Sequence, residues 1–135
     1  MRTLVLDLDD RRREVCDALG MSFIRVKALR RLAAGPMTMR QLAERLTIDA
    51  PYTTLVIDDL ERRGLVARTV NPDDRRSRLV TVTEAGKATA ERSERILDRP
   101  PPQLAELDPA DLAVLERVIS DLAARFEPAV HLGEP

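Results

Sequence analysis

From Leu65 to Thr83 the chain alternates apolar and polar side chains on either side of Asn71-Pro72-Asp73-Asp74-Arg75-Arg76-Ser77-Arg78, the pattern of an arginine-tipped β-hairpin. Leu65-Val66-Ala67-Arg68-Thr69-Val70 and Leu79-Val80-Thr81-Val82-Thr83 both carry the period of two that half-buried strands require. Pro72 fixes one φ, and the Asn and Asp side chains supply hydrogen bonds for the reversal. A tip bearing Arg75, Arg76 and Arg78 suits a narrow, negatively charged groove such as the minor groove of DNA. A merely soluble turn satisfies the same pattern, so the hairpin alone leaves both readings open.

What precedes the hairpin narrows the choice. Residues 38–64 predict two short helices joined by a tight turn. Thr38 caps a segment with Met39, Leu42, Ala43 and Leu46 on one face, and Asp49 caps a second with Pro51 near its first turn. That second helix buries Leu55 or Val56 with Leu60 and stops at Gly64. Helix, turn, helix, glycine stop and hairpin make a winged helix-turn-helix, whose second helix enters the major groove while the wing reaches the neighbouring minor groove.

Leu42-Ala43-Glu44-Arg45-Leu46, then Asp59-Leu60-Glu61-Arg62-Arg63-Gly64-Leu65-Val66, then Asp74-Arg75-Arg76 and Leu79-Val80-Thr81-Val82-Thr83-Glu84-Ala85-Gly86 resemble the MarR family of bacterial transcription regulators, over about Leu19 to Lys87. The most specific part is Asp74-x-Arg76-x-x-x-Val80, the wing signature, followed by the run into the next helix. The resemblance implies that Arg76 lies in the minor groove and that Asp74 helps to orient it, as a carboxylate can hold a guanidinium fork by charge-assisted hydrogen bonds. It also implies a homodimer that reads a pseudo-palindromic operator and answers to a small molecule or an oxidant.

The 135 residues, 44% hydrophobic and 33% charged, suit one soluble globular domain. No targeting or membrane segment is visible, because apolar stretches are too short to span a bilayer and Met1-Arg2-Thr3-Leu4-Val5-Leu6-Asp7 turns acidic before a signal-peptide core forms. A cytoplasmic location is the expectation. The single Cys16 excludes an intrachain disulfide and cannot by itself build a cysteine zinc site; the single His131 excludes a histidine-rich one. No metal, no cofactor and no enzymatic activity are expected, since glycine-rich phosphate loops and nucleophile elbows are missing too.

The net charge of −1 conceals an asymmetry. Residues 25–45 carry six basic side chains against Glu44, residues 62–78 carry six arginines against Asp73 and Asp74, and residues 108–135 carry six acids against Arg117 and Arg125. One basic, phosphate-facing side and an acidic remainder follow.

The flanks read as an assembly device. Leu4, Val5, Leu8, Val15, Cys16 and Leu19 recur at helical spacing, so residues 3–18 predict an amphipathic helix interrupted on its apolar side by Arg11 and Arg12. Asp108 caps and Pro109 opens a helix with Leu112, Leu115, Val118, Ile119, Leu122 and Phe126 along one stripe. By the resemblance, Leu4, Leu8, Leu112, Leu115, Ile119, Leu122 and Phe126 are dimer contacts; packing onto the chain's own core is the alternative. The expected fold is mainly α, of the α+β class. A single MarR-like domain over 1–135 would hold a winged helix-turn-helix over 22–83 with a two-stranded wing, dimerisation helices over 1–20 and 84–127, and a tail over 128–135.

Two features depart from the family pattern. Ala50 to Glu61 contains no basic residue and includes Asp58, Asp59 and Glu61, so base reading would rest on Tyr52, Thr53 and Thr54, with Pro51 and Ala50 offering apolar contact to a thymine methyl. Specificity is expected to be modest or shape-based. Pro100-Pro101-Pro102 must also stop the helix that begins near Glu84 by about Arg99. Thr38, Arg40, Thr54 and Arg75 would meet phosphates, and Arg76, flanked by Asp74 and Arg78, would sense minor-groove width.

The expected function is a DNA-binding transcription regulator, a homodimeric repressor of double-stranded operator DNA released by a small-molecule effector, with no membrane partner. The acidic second helix keeps a winged-helix protein-interaction module open as an alternative. A redox sensor through Cys16 is weaker, because Glu14 and Asp17 beside it raise a thiol pKa and the only tyrosine is Tyr52. Met21, Met37 and Met39 either fill the core or line an adaptable effector pocket.

Overall fold

The computed structural model describes residues 2–3 and 10–126. Two units, residues 1–99 and residues 100–135, are separated at the Pro100-Pro101-Pro102 run. The first contains α1 (Arg11–Leu19), α2 (Phe23–Ala34), β1 (Met37–Thr38), α3 (Met39–Leu46), α4 (Ala50–Arg62), β2 (Val66–Val70), β3 (Arg78–Val82) and α5 (Glu84–Leu97). The second contains a 3-10 turn (Pro102–Glu106) and α6 (Pro109–Phe126).

Of the amphipathic segment expected over residues 3–18, residues 4–9 lie outside the described residues; α1 begins at Arg11, capped by Asp10, whose Oδ1 accepts from the Arg13 amide at 3.0 Å. The two arginines that interrupt the apolar line are both engaged. Arg11 donates to Glu14 Oε2 at 2.7 Å and to the Arg99 carbonyl at 3.2 Å, and the Arg12 guanidinium lies 4.4 Å from the centre of the Phe23 ring. Leu4 and Leu8 lie outside the described residues.

The helix-turn-helix is built from local signals. Thr38 Oγ1 accepts from the Gln41 amide while Gln41 Oε1 accepts from the Thr38 amide, a reciprocal capping box at the start of α3. Asp49 Oδ1 accepts from the Tyr52 amide at 2.8 Å to open α4. The helix ends with Gly64 in the left-handed region at φ 72°, and the Leu65 amide returns to the Leu60 carbonyl at 3.0 Å. Of the two candidates for the buried position, Val56 is in the core and Leu55 faces outward.

The sheet has three antiparallel strands in the order β1-β3-β2, one more than the two-stranded wing expected from the sequence. β1 is only two residues long, and Met37 opposite Val80 and Thr38 opposite Leu79 tie the start of α3 to the wing. Between β2 and β3, Asn71 braces the turn. Its Nδ2 donates to Ser77 Oγ at 2.9 Å and its Oδ1 accepts from the Asp73 amide at 3.0 Å.

A single core joins α1 through α4 to the sheet, with Leu29, Leu32, Leu42, Ile57, Leu60 and Val80 buried. Met21 belongs to this core, and Met37 and Met39 pack against it. Helix α5 reaches the sheet through Gly86. A Cβ at this position would lie 1.9 Å from the Leu65 carbonyl oxygen. The Thr83 amide donates to that same carbonyl at 3.1 Å, and Thr83 Oγ1 donates to the Gly64 carbonyl at 2.7 Å and accepts from the Gly86 amide at 3.0 Å.

Asp59 ties α4 and its C-terminal cap to α2, accepting from Arg25 of α2 at 2.7 Å, from Arg63 at 2.9 Å and from Arg62 at 3.2 Å. Partial burial pushes its carboxyl up, but the hydrogen bonds and charges of Arg25 and Arg63 outweigh this and hold it below the usual carboxylate range.

In the second unit Asp108 Oδ1 accepts from the Ala110 amide at 2.8 Å and starts α6. Leu112, Val118, Ile119 and Leu122 stand 40 to 55% exposed along it, and Leu115 is half-buried. The Phe126 side chain lies outside the described residues. No described helix is long and apolar enough to cross a membrane.

Two outcomes follow. Gly86→Ala gains about 1 kcal/mol of helix propensity, yet the new methyl meets a backbone oxygen that cannot swing aside, so the variant should lose about 1 to 3 kcal/mol net by urea denaturation. Asp59→Asn should cost about 1 to 3 kcal/mol at neutral pH. Because the folded pKa of Asp59 is depressed, the stabilisation is complete above the unfolded value near about 4 and is lost as pH falls through the folded one. The gap between wild type and variant should therefore narrow below about pH 4; a gap constant under acid would assign the loss to packing.

Candidate nucleic-acid interface

Helix α4 presents two opposite lines. Thr53, Val56, Ile57 and Leu60, at the spacing of one helical face, form its buried side. This corrects the assignment of Thr53 to base reading: it is 1% exposed, and its Oγ1 donates to the Asp49 carbonyl at 2.8 Å. Pro51, Leu55, Asp58 and Arg62 recur on the opposite side and are all exposed, with Tyr52 and Thr54 flanking them. Thr54 Oγ1 donates to the Ala50 carbonyl at 3.1 Å, so its proton is engaged within the helix. Leu55 escaped the sequence reading because it and Val56 are both apolar. The available signal was phase, since Thr53 with Val56, Ile57 and Leu60 completes a stripe that excludes position 55.

The acidity of α4 is largely absorbed within the lobe. Arg68 of β2 forks across two carboxylates, its Nη2 donating to Asp58 and its Nη1 to Glu61, each at 2.6 Å. Desolvation alone would lower the basicity of Arg68; the two carboxylates outweigh it and raise it. The fork also holds the wing base on α4. With Asp59 held by Arg25 and Arg63, each carboxylate of this helix has an arginine partner.

The same pairing redistributes the positive charge counted along the chain. Arg25, Arg63 and Arg68 are engaged by α4, and Arg30 binds Glu94 at 2.5 and 3.1 Å. Among the described residues Arg75, Arg76 and Arg78 are exposed, and no carboxylate pairs with them. Three arginines without an ion pair therefore stand within four residues on the wing, and Arg13, Arg31, Arg45, Arg92 and Arg95 are likewise exposed without one elsewhere. Asp74 sits beside them, but its Oδ1 accepts from the Arg76 backbone amide at 3.0 Å and so fixes the turn rather than the guanidinium.

On α3 Arg40 is 90% exposed in its side chain, with Glu44 3.2 Å away. Arg40 and Thr54 share the rim of an open hollow of about 740 Å³ between α3 and α4, floored by Met39, Ala43, Ile48 and Ala50. Thr38, at the head of α3, uses its hydroxyl oxygen in the capping box. The structure thus places Thr38, Arg40, Pro51, Tyr52 and Thr54 on or beside the two helices of one motif, and Asp74, Arg75, Arg76 and Arg78 on its wing.

Cys16 is half-buried, and burial first and Asp17 second push its thiol up. Glu14, expected to contribute, is instead held by Arg11 and Arg99. Among the described residues no three His, Cys, Asp or Glu side chains gather to hold a metal ion.

Residues 25–77 match the family model described as the MarR family. An uncharacterised HTH-type transcriptional regulator of Bacillus subtilis (strain 168), YwhA, is 31% identical over 58 residues, which is 43% of this chain and 42% of the relative. The match thus spans about two fifths of that relative's length. Wild-type MarR of E. coli in its apo form is 26% identical, covers 84% of this chain and 86% of its own, and superposes with a TM-score of 0.72. A cysteine-to-serine mutant of E. coli MarR complexed with operator DNA is 26% identical, covers 84% of each chain and gives a TM-score of 0.60. The helix-turn-helix, the wing and the structural likeness agree with that match, and residues 25–77 are similar to the MarR family.

Proposed function

We propose that this chain is a DNA-binding transcription regulator acting in the cytoplasm, a homodimeric repressor of a pseudo-palindromic operator that a small-molecule effector releases. The observation that carries the reading is the wing. Arg75, Arg76 and Arg78 project from a turn braced by Asn71 and Ser77, with no carboxylate of the described residues to neutralise them, next to a helix whose own acids are paired. A structural relative of this fold is complexed with operator DNA. Arg40, Arg75 and the heads of α3 and α4 would dock each lobe on phosphates, α4 would face the major groove, and Arg76 would sense minor-groove width. The exposed apolar stripe of α6 supports a second subunit as its cover. Two lobes rigidly joined match only one half-site spacing, so an effector that alters the spacing releases the duplex.

Arg76→Ala should leave fold and assembly intact while weakening operator binding by about 1 to 3 kcal/mol. Undiminished affinity at matched salt would remove the wing from the mechanism. Arg75→Ala should act differently, flattening the salt dependence of log K by about one unit without changing the preferred sequence.

The α6 stripe makes an independent statement about assembly. Leu115→Glu combined with Leu122→Glu should yield monomers that bind DNA poorly, because one lobe alone makes few contacts. Light scattering decides it, and a double variant that stays dimeric means the dimer uses another surface.

A further inference from the structure

We infer that Leu55 determines sequence specificity by reading thymine C5-methyl groups in the major groove. The inference rests on the DNA-binding reading and specifies what the recognition helix can recognise. Guanine is read by the paired donors of arginine or lysine, and adenine by the amide of asparagine or glutamine. The outward positions in the first two turns of α4 are Ala50, Pro51, Tyr52, Thr54 and Leu55, and none of them is of those types. The Thr54 hydroxyl proton is on the Ala50 carbonyl. Asp58, whose carboxylate could accept from a cytosine amino group, is held by Arg68 at 2.6 Å. Besides the Tyr52 hydroxyl and the acceptor lone pairs of Thr54, what the helix offers to base edges is apolar surface.

Leu55 is the centre of that surface. It is 59% exposed on a helix whose other large aliphatic residues, Val56, Ile57 and Leu60, are fully buried. Pro51 lies one turn before it on the same line and Tyr52, 42% exposed, borders it. The surroundings select a polyanion rather than an apolar partner. Arg62 ends the same line with its side chain 72% exposed, and the uncompensated arginines of the wing belong to the same lobe. Among base edges in the major groove, only thymine presents a methyl group to such a side chain.

The test uses the full chain and a duplex enriched from a random pool on the protein itself. Each thymine is replaced in turn by uracil, which deletes the methyl and keeps every hydrogen-bonding group. Wild type should lose affinity about fourfold at one or two thymines of each half-site, the worth of one buried methyl-sized group. Leu55→Ala, a surface substitution, should bind the thymine duplex more weakly and show no further loss with uracil at those positions. Uracil tolerated everywhere by wild type would overturn the inference. So would a Leu55→Ala protein that remains as sensitive to uracil as wild type, since the methyl would then be read by another residue. If the pool yields no duplex preferred over scrambled DNA at either of two salt concentrations, the DNA-binding reading itself falls, and Leu55 with Tyr52 becomes a surface for a protein partner.

Discussion

The approach of α5 to the wing at Gly86 sets the geometry of the winged helix-turn-helix lobe. Only a residue without a side chain lets the first turn of α5 lie against the Leu65 carbonyl, where a Cβ would come within 1.9 Å of the oxygen. Thr83 completes the junction from its own backbone and side chain, binding the Leu65 and Gly64 carbonyls and capping α5 through the Gly86 amide. The last turn of α4, the start of β2, the end of β3 and the start of α5 thus meet within a few residues. The junction thus fixes α4 and the wing to each other through backbone contacts.

Charge is arranged with the same economy. Ion pairs as exposed as those of Arg68 with Asp58 and Glu61, which leave the carboxylate side chains 52% and 44% accessible, contribute only about 0 to 1 kcal/mol each to stability. Their consequence is positional: they tie the wing base to α4 and remove negative charge from the helix that would approach DNA. Asp59 differs, because with its side chain 16% accessible and three arginines around it, the pairing is part of the fold. A chain of net charge −1 can therefore present a positive wing, since neutralisation inside the lobe is uneven.

Local signals were legible in the sequence and relations between distant residues were not. The caps Thr38, Asp49 and Asp108, the left-handed stop at Gly64 and the alternation on both sides of Asn71 each depend on a few neighbouring residues, and each stands where the sequence places it. β1 was missed because two residues carry no period, and Met37 is a strand only through Val80. The partners Arg25 with Asp59 and Arg68 with Asp58 and Glu61 exist only after α2, α4 and β2 have packed, so the acids of α4 looked unpaired along the chain. Thr53 was assigned to the wrong face, and Leu55 was left open against Val56, for a physical reason. A threonine can bury its methyl while its hydroxyl bonds the preceding turn, so polarity misplaces it.

The apolar face of α4 and the apolar stripe of α6 join in one physical argument. Reading methyl groups discriminates by only about 0.8 kcal/mol per contact, against about 1 to 3 kcal/mol for a bidentate hydrogen-bonded pair. A lobe that recognises DNA this way would prefer its site weakly, and the phosphate contacts proposed for Arg75 and Arg40 would raise affinity for every sequence equally. Beyond the groove width that Arg76 would sense, further discrimination would have to come from repetition. Two lobes held at one spacing add their small preferences and impose a distance between half-sites that random DNA rarely meets, so a weakly reading helix makes a second subunit a requirement of specificity. On that reading a second subunit covering the exposed leucines and isoleucine of α6 would multiply the small preference that Leu55 provides.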